Sequence, residues 1–386
     1  MNFELTQEQK QIRNAAREFS EGEFDKDLVM ELDESCQFPF EIWKKACKLG
    51  FIGIHFPEKY GGQNLGVFEN VLVVEEFCRK DSGIGIALSL ADYASEIILR
   101  FGTESQKNMY LVPITKGEAI SSGCFWEVED GEGLSNISTF AIKKGDCFLI
   151  NGEKNFVINS GTANYFIVLC KTDMRLKPSH LGESIIIMEK GLDGLNVIEN
   201  EGKMGINMIP ISNLSLKDVR VRCENMIGQE NNGYHQVMRY FEESRIEMAA
   251  QALGIAQGAF ERAMEYAKKR EQFGRKIVEF QAIQHKLADM AIKIERARLL
   301  TYQAAWSFDR EELNTRLTLM AKIDTTKTAI EVTKEAIQIF GGYGYMKEQE
   351  VEHFYRDAWM TELYLGSGDI QKTMLASTLL GRLVVS

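Results

Sequence analysis

Apolar positions along the first third of the chain recur every three or four residues. Ile12, Ala16 and Phe19 share one stripe, Ile42, Ala46 and Leu49 the next, and a long apolar segment runs from Ile84 to Phe101. That spacing predicts an all-helical domain over residues 1–118. Near Glu118 the period changes. Cys147-Phe148-Leu149-Ile150, the pair Asn151-Gly152 and Asn155-Phe156-Val157-Ile158 predict a β-hairpin, because Asn-Gly suits the tight turn that matches strand twist. Tyr165 to Cys170 and Ser184 to Met188 continue as β-rich runs around the polar loop from Arg175 to Gly182. A β domain is therefore expected over 119–228. Beyond Gly228 the helical period returns: Ile246, Ala249, Leu253, Ala256 and Phe260; Ile283, Leu287, Met290, Ile294 and Ala297; Leu319, Ile323, Ile330, Ile337 and Phe340. Gly341-Gly342 is expected to stop the last of these helices. Residues 229–386 thus read as a helical bundle, and the fold class as α+β, mostly α.

Composition narrows the chemistry. A formal net charge of -11 without a long Lys/Arg block argues against a nucleic-acid partner, since a phosphate backbone would be repelled. Seven dispersed cysteines without a Cys-x-x-Cys pair read as reduced thiols of a cytoplasmic protein. No apolar run reaches the roughly 18 residues of a membrane span. His55, His180, His235, His285 and His353 lack metal-ligand spacing and are read as structural, so no metal is expected. No Gly-x-Gly-x-x-Gly follows a strand and no Gly-x-Ser-x-Gly elbow occurs, which disfavours a Rossmann nucleotide site and hydrolase chemistry.

Several separated segments, in order, carry a resemblance: Pro57-Glu58-Lys59-Tyr60-Gly61-Gly62, Asn151-Gly152-Glu153-Lys154, Met204-Gly205-Ile206, Arg270-Glu271-Gln272-Phe273-Gly274, Gly341-Gly342-Tyr343-Gly344-Tyr345, Arg356-Asp357-Ala358 and Tyr364-Leu365-Gly366-Ser367-Gly368-Asp369-Ile370-Gln371. Together with the helical, β, helical layout they make the chain resemble the acyl-CoA dehydrogenases over essentially its full length. The resemblance implies FAD, an acyl-CoA thioester ligand, a β-barrel or sandwich as middle domain, a C-terminal four-helix bundle, a homotetramer, and electron transfer to an electron-transfer flavoprotein.

The resemblance also assigns residues. Arg270 would reach the FAD pyrophosphate of a neighbouring subunit, where a guanidinium fork suits paired phosphate oxygens, with Phe273 nearby; without it, Lys268, Lys269 and Arg270 read as a solvated cluster at a helix end. Gln338 and Gly342 match positions on the adenosine side of FAD, although helix termination alone accounts for Gly342. Phe125 and Trp126 could serve the flavin through backbone amides, and Phe156 could stack on it. Where the family has a Thr hydroxyl at flavin N5, this chain has Ile158. The run Trp126-Glu127-Val128-Glu129-Asp130-Gly131-Glu132-Gly133 likewise lacks the family's hydroxyls. Phe156 and Ile158 read equally as strand core. Ser367 and Asp369 match cofactor positions; Phe241, Glu242, Ser244, Arg245, Tyr364 and Leu365 match the substrate side.

The largest departure is Leu365. The family signature carries Glu there, the base that removes the proton alpha to the thioester, and leucine cannot accept a proton. Relatives without that Glu can carry it at the position of Ser244, which is no substitute. Both usual base positions are therefore empty. Asp92, within Leu88-Ser89-Leu90-Ala91-Asp92-Tyr93, falls on the helix that lines the acyl pocket in this family, and apolar surroundings would raise a carboxyl group toward the useful range. The pairing of Asp92 with Leu365 resembles cyclohex-1-ene-1-carboxyl-CoA dehydrogenases, in which an Asp on this helix serves as base at a remote ring carbon. Ser89, Asp92, Glu96 and Arg100 also recur at helical spacing, which allows a solvated stripe with Glu96 and Arg100 paired. The leading expectation is thus an FAD-dependent dehydrogenase of an alicyclic or unsaturated cyclic acyl-CoA. A non-redox or oxygen-using homologue and a catalytically silent acyl-CoA-binding subunit stay open beside it.

Overall fold

The structure is a computed structural model and describes residues 4–128, 134, 137–200, 202–312 and 314–381. Seven helices come first: α1 (Gln7–Glu23), α2 (Lys26–Ser35), α3 (Phe40–Lys48), α4 (Val67–Lys80), α5 (Ser82–Ser89), α6 (Ser95–Phe101) and α7 (Glu104–Thr115). Their starts follow local chemistry. Thr6 and Thr103 each close a reciprocal capping box, with Gln9 and Gln106, and Asp81 accepts from the Ile84 amide at the head of α5.

Eight strands follow: β1 (Ser121–Cys124), β2 (Phe140–Lys144), β3 (Cys147–Ile158), β4 (Tyr165–Lys171), β5 (Glu183–Glu189), β6 (Leu195–Glu199), β7 (Ile211–Arg222) and β8 (Met226–Ile227). They form one sheet in the order β6-β7-β3-β2-β4-β5-β8, with β1 parallel to β4. Alternation along β4 and β5 decides where the sheet sits. Phe166, Val168, Ile186 and Met188 fill a core within the β domain, while Ile167, Leu169, Ile185 and Ile187 join the helical core on the other face.

The hairpin expected at Asn151-Gly152 does not form there. β3 runs unbroken through that pair, and the turn lies earlier, at Gly145 between β2 and β3. Asn151 instead exchanges two hydrogen bonds with Asp218 on β7, at 2.9 and 3.0 Å. Gly152 is required by crowding, since a Cβ there would lie 2.4 Å from Thr139 Oγ1.

Among the described residues five α-helices follow: α8 (Gly233–Lys269), α9 (Gln281–Asp309), α10 (Thr315–Phe340), α11 (Val351–Leu363) and α12 (Gly368–Leu380). α8 is the axis of the molecule, packing on α4, α9 and α10. Gly254 and Gly258 let it approach α4 closely; a Cβ at either would meet the Glu75 or Arg79 carbonyl oxygen, at 2.4 and 2.2 Å. Among the described residues no helix is long and apolar enough to cross a membrane. All seven cysteines are free.

Candidate active site

A cavity of about 620 Å3 opens where β3, the segment before β7, and α11 meet. Trp126, Phe156, Ile158, Ile206, Tyr364, Leu365 and Ser367 are among its lining residues. The strand geometry that presents Phe156 is irregular: β3 shifts register against β7 between Lys154 and Val157, and Phe156 takes a left-handed φ of 53°. That bulge turns the ring outward, where 64% of Phe156 is exposed. Ile158 is buried, and its carbonyl already accepts from Ser122 Oγ at 2.5 Å. The far wall is pinned by Asp357 on α11, which accepts from the Ile206 amide (2.5 Å) and from Ser82 Oγ (2.7 Å), while Arg356 donates to the Met204 carbonyl (3.2 Å).

Behind the cavity stands an aromatic wall. Tyr93 packs on Tyr364 (centroids 5.5 Å apart), Tyr240 (5.8 Å) and Phe125 (6.2 Å), and Trp126 stacks on Phe241 at 5.9 Å. Phe241, Ser244 and Arg245 are buried directly behind it on α8. Arg245 is held by Glu242 at 2.9 Å, and Glu242 accepts from Thr318 Oγ1 at 2.6 Å. Ser244 Oγ lies 3.4 Å from the Tyr240 hydroxyl.

One carboxyl group lines the cavity among the described residues, and it is committed elsewhere. Glu127 pairs with the fully buried Lys154 at 2.5 Å and accepts from Ser138 and Thr139. Burial would raise it, yet the Lys154 charge and these donors hold it down to about 2. It is no base near neutrality. The remainder of the expected Trp126 to Gly133 run, residues 129–133, lies outside the described residues.

Asp92 corrects two expectations. It is not on a helix: α5 ends at Ser89, α6 begins at Ser95, and Asp92 sits in the turn between them. Nor do Ser89, Asp92, Glu96 and Arg100 form a solvated stripe, because Ser89, Asp92 and Glu96 are buried and Arg100 pairs with Glu243, not with Glu96. Asp92 is not among the residues lining the cavity; its neighbour Tyr93 packs on Tyr364, which is. Burial and the charge of Glu96 raise its carboxyl to about 7, against His55 and backbone amides that lower it. His55 lies 3.3 Å from Glu96 and 3.9 Å from Glu243. Burial pulls its imidazole down, but those carboxylates prevail and lift it to about 9.

Glu247 completes the cluster and was missed in the sequence. It lies on α8 between Tyr240, whose hydroxyl accepts from the Ala94 amide (3.1 Å), and Gln251, which donates to Ser89 Oγ (2.8 Å). It therefore faces the turn that carries Asp92, and burial together with Asp92, Glu96 and Glu243 pushes it well above the usual carboxylate range. The available signal was a carboxylate one turn beyond Glu243 in a stretch of small apolar residues.

A second cavity, about 500 Å3, lies at the other end of α8 and includes Tyr266, Arg270, Gly341, Gly342 and Tyr343. Arg270 sits over the Tyr343 ring at 5.8 Å, and Phe273, with a left-handed φ of 55°, is 93% exposed. Gln338 is exposed on α10 and Asp369 is paired with Lys372 at 3.1 Å; neither lines a cavity described here. The exposed Phe156 ring at the first cavity suits an aromatic ring system, and Arg270 beside Tyr343 at the second suits a phosphate-bearing group.

Models of three domains of one family match the chain: acyl-CoA dehydrogenase N-terminal domain over residues 6–118, middle domain over 124–219 and C-terminal domain over 231–380. A short-chain-specific acyl-CoA dehydrogenase of Clostridium acetobutylicum is 40% identical, over 97% of this chain and 99% of its own. A subunit of the caffeyl-CoA reductase–Etf complex of Acetobacterium woodii is 36% identical over the same shares. The solved butyryl-CoA dehydrogenase of Megasphaera elsdenii superposes with a TM-score of 0.93 at 37% identity, covering 98% of this chain and 100% of that one. With the layout of its domains and the cavity at their junction, these matches place the chain in the acyl-CoA dehydrogenase family, flavoprotein oxidoreductases for which FAD is the expected cofactor.

Proposed function

We propose that the chain oxidises an alicyclic or unsaturated cyclic acyl-CoA thioester, with Asp92 taking a proton from a ring carbon remote from the thioester. Bound FAD would accept the hydride from the adjoining carbon as the new double bond forms. The observation that carries this reading is the inventory of carboxyl groups near the aromatic wall: Leu365 and Ser244 offer none, Glu127 is locked to Lys154, Glu247 is pushed well above the usual carboxylate range, and Asp92, next to Tyr93, is poised near neutrality. The reading requires the acyl ring to lie against that aromatic wall. Phe125, Trp126, Phe156, Ile158 and Ser367 would surround the flavin. Arg270, Phe273, Gly342 and the α10 end near Gln338 would meet the adenosine side of a neighbour's FAD in a homotetramer. An electron-transfer flavoprotein is the proposed acceptor, supported by the Etf complex to which one relative belongs. A group near pH 7 donates as readily as it accepts, and relatives are named caffeyl-CoA reductase and 3-(aryl)acrylate reductase, so reduction of an unsaturated acyl-CoA at the same site is the second reading.

The test is anaerobic bleaching of the flavin by cyclohex-1-ene-1-carboxyl-CoA and by butyryl-CoA. The cyclic thioester should bleach it, butyryl-CoA should do so very slowly, and Asp92→Asn should slow the cyclic reaction by at least about 10²-fold with binding little changed. Rapid bleaching by butyryl-CoA, or an Asp92→Asn variant at the native rate, would sink the proposal.

A further inference from the structure

Lys322 lies in the first third of α10 and is 1% exposed, yet among the described residues it has no carboxylate partner within ion-pair distance. Its ammonium donates to three main-chain carbonyls at the end of α11 and in the loop that follows it: Glu362 at 3.2 Å, Tyr364 at 2.7 Å and Gly366 at 3.1 Å. An ammonium has three N–H donors, and here each has an acceptor. The loop needs such a clasp. Leu365 and Gly366 are both left-handed, with φ of 59° and 97°, so for Leu365 the backbone sits in a region that an L side chain disfavours. Gln371 supports the same turn by donating to Gly366 O at 2.8 Å.

A trans peptide is planar, and its C=O and N–H point in opposite directions. Drawing the Tyr364 carbonyl toward α10 therefore turns the Leu365 N–H away from α10. Leu365 lines the cavity, so that is the direction of the acyl thioester. We propose that Lys322 is a positioning residue: by clasping the carbonyls on both sides of Leu365 it aims the Leu365 N–H at the thioester carbonyl, which that amide then polarises. The inference rests on the proposed function in taking the cavity as the thioester site. It requires the charged form, because a neutral amine has two N–H donors and would turn a lone pair toward the third carbonyl.

The surroundings make that charge precarious. Burial and Arg245 on α8 lower Lys322 to about 7, against Glu362 on α11. The neighbouring charges are themselves engaged: Arg245 with Glu242, Glu242 with Thr318 one turn before Lys322, and Glu362 with Thr326 one turn after. Tyr364 stands on the cavity side of the loop.

The probe is 4-(dimethylamino)cinnamoyl-CoA titrated into the holoprotein, since its visible band moves to longer wavelength when the thioester carbonyl is polarised. The native protein should show the shift at pH 6 and lose at least half of it by pH 9.5. Lys322→Met should bind the probe within about threefold of native affinity while losing at least half the shift at pH 6, and Lys322→Gln, with two donors, should fall between. A full shift in a folded Lys322→Met variant, or a native shift constant from pH 6 to 9.5, overturns the clasp. A native holoprotein that binds the probe without any shift instead overturns the assignment of the cavity as a thioester site.

Discussion

Glu127 and Asp92 are both buried carboxyl groups close to the same aromatic wall, and their chemistry differs by the company each keeps. Glu127 has a buried ammonium, the Ser138 hydroxyl and the Ser138 and Thr139 amides as donors, and its proton leaves at about 2. Asp92 has Glu96 and Glu247 for neighbours, with only His55 and backbone amides in opposition, and its proton leaves at about 7. Burial alone makes neither a base nor a fixed charge; the counter-charge decides.

The comparison is broken most severely from the Glu127 side. Lys154→Met should leave a buried carboxylate without its cation, and the loss of stability, read from urea unfolding, should be about 3–5 kcal/mol. Adding Glu127→Gln to that variant should recover most of the loss.

A smaller effect separates the two carboxyls by pH. Asp92 ionises near 3.8 in its ordinary state and near 7 when folded, so between those values the folded chain holds a proton that the unfolded chain has released. Its contribution is therefore present below about 4 and lost as pH rises to 7. Relative to the native protein, Asp92→Asn should gain on the order of 1 kcal/mol or more across that window. Glu127 works with the opposite sign, giving stability above its ordinary 4.5 that is lost as pH falls toward 2.

The smallest effect concerns His55, the cation set against Asp92 and Glu96. His55→Gln removes a positive neighbour that lowers Asp92, and it also strips Glu96 of its partner. The pH at which flavin reduction reaches half its maximum should rise by about 1 unit. An unmoved profile would separate His55 from the reacting proton.

The layout of helical and β regions was legible because stripes of apolar residues report which face is buried, and those stripes are long. Breaks held by distant partners were not. The turn at Leu90–Ala94 contains no glycine or proline; Ala94 takes a left-handed φ of 72° with its amide held by Tyr240, and Ala91 O accepts from the Ser121 amide. Asn151-Gly152 misled for the mirror-image reason, a turn pair consumed by cross-strand bonds to Asp218 and by crowding against Thr139. In the candidate site, Leu365 and Ser244 stood out because the resemblance implies a carboxylate at one position or the other. Lys322, His55 and Glu247 gave no such signal, since a charged residue on a helix or loop ordinarily reads as solvated until its burial is known.

Asp357 joins more than two residues. Through Ser82 it holds the first helical domain, through the Ile206 amide the β domain, and its own helix belongs to the C-terminal bundle, with His353 at 3.3 Å. One side chain is thus shared by all three domains at the wall of the cavity. Opening any of them strips partners from a buried carboxylate that the other two cannot replace, so the domains are made to melt together as one cooperative unit rather than in turn.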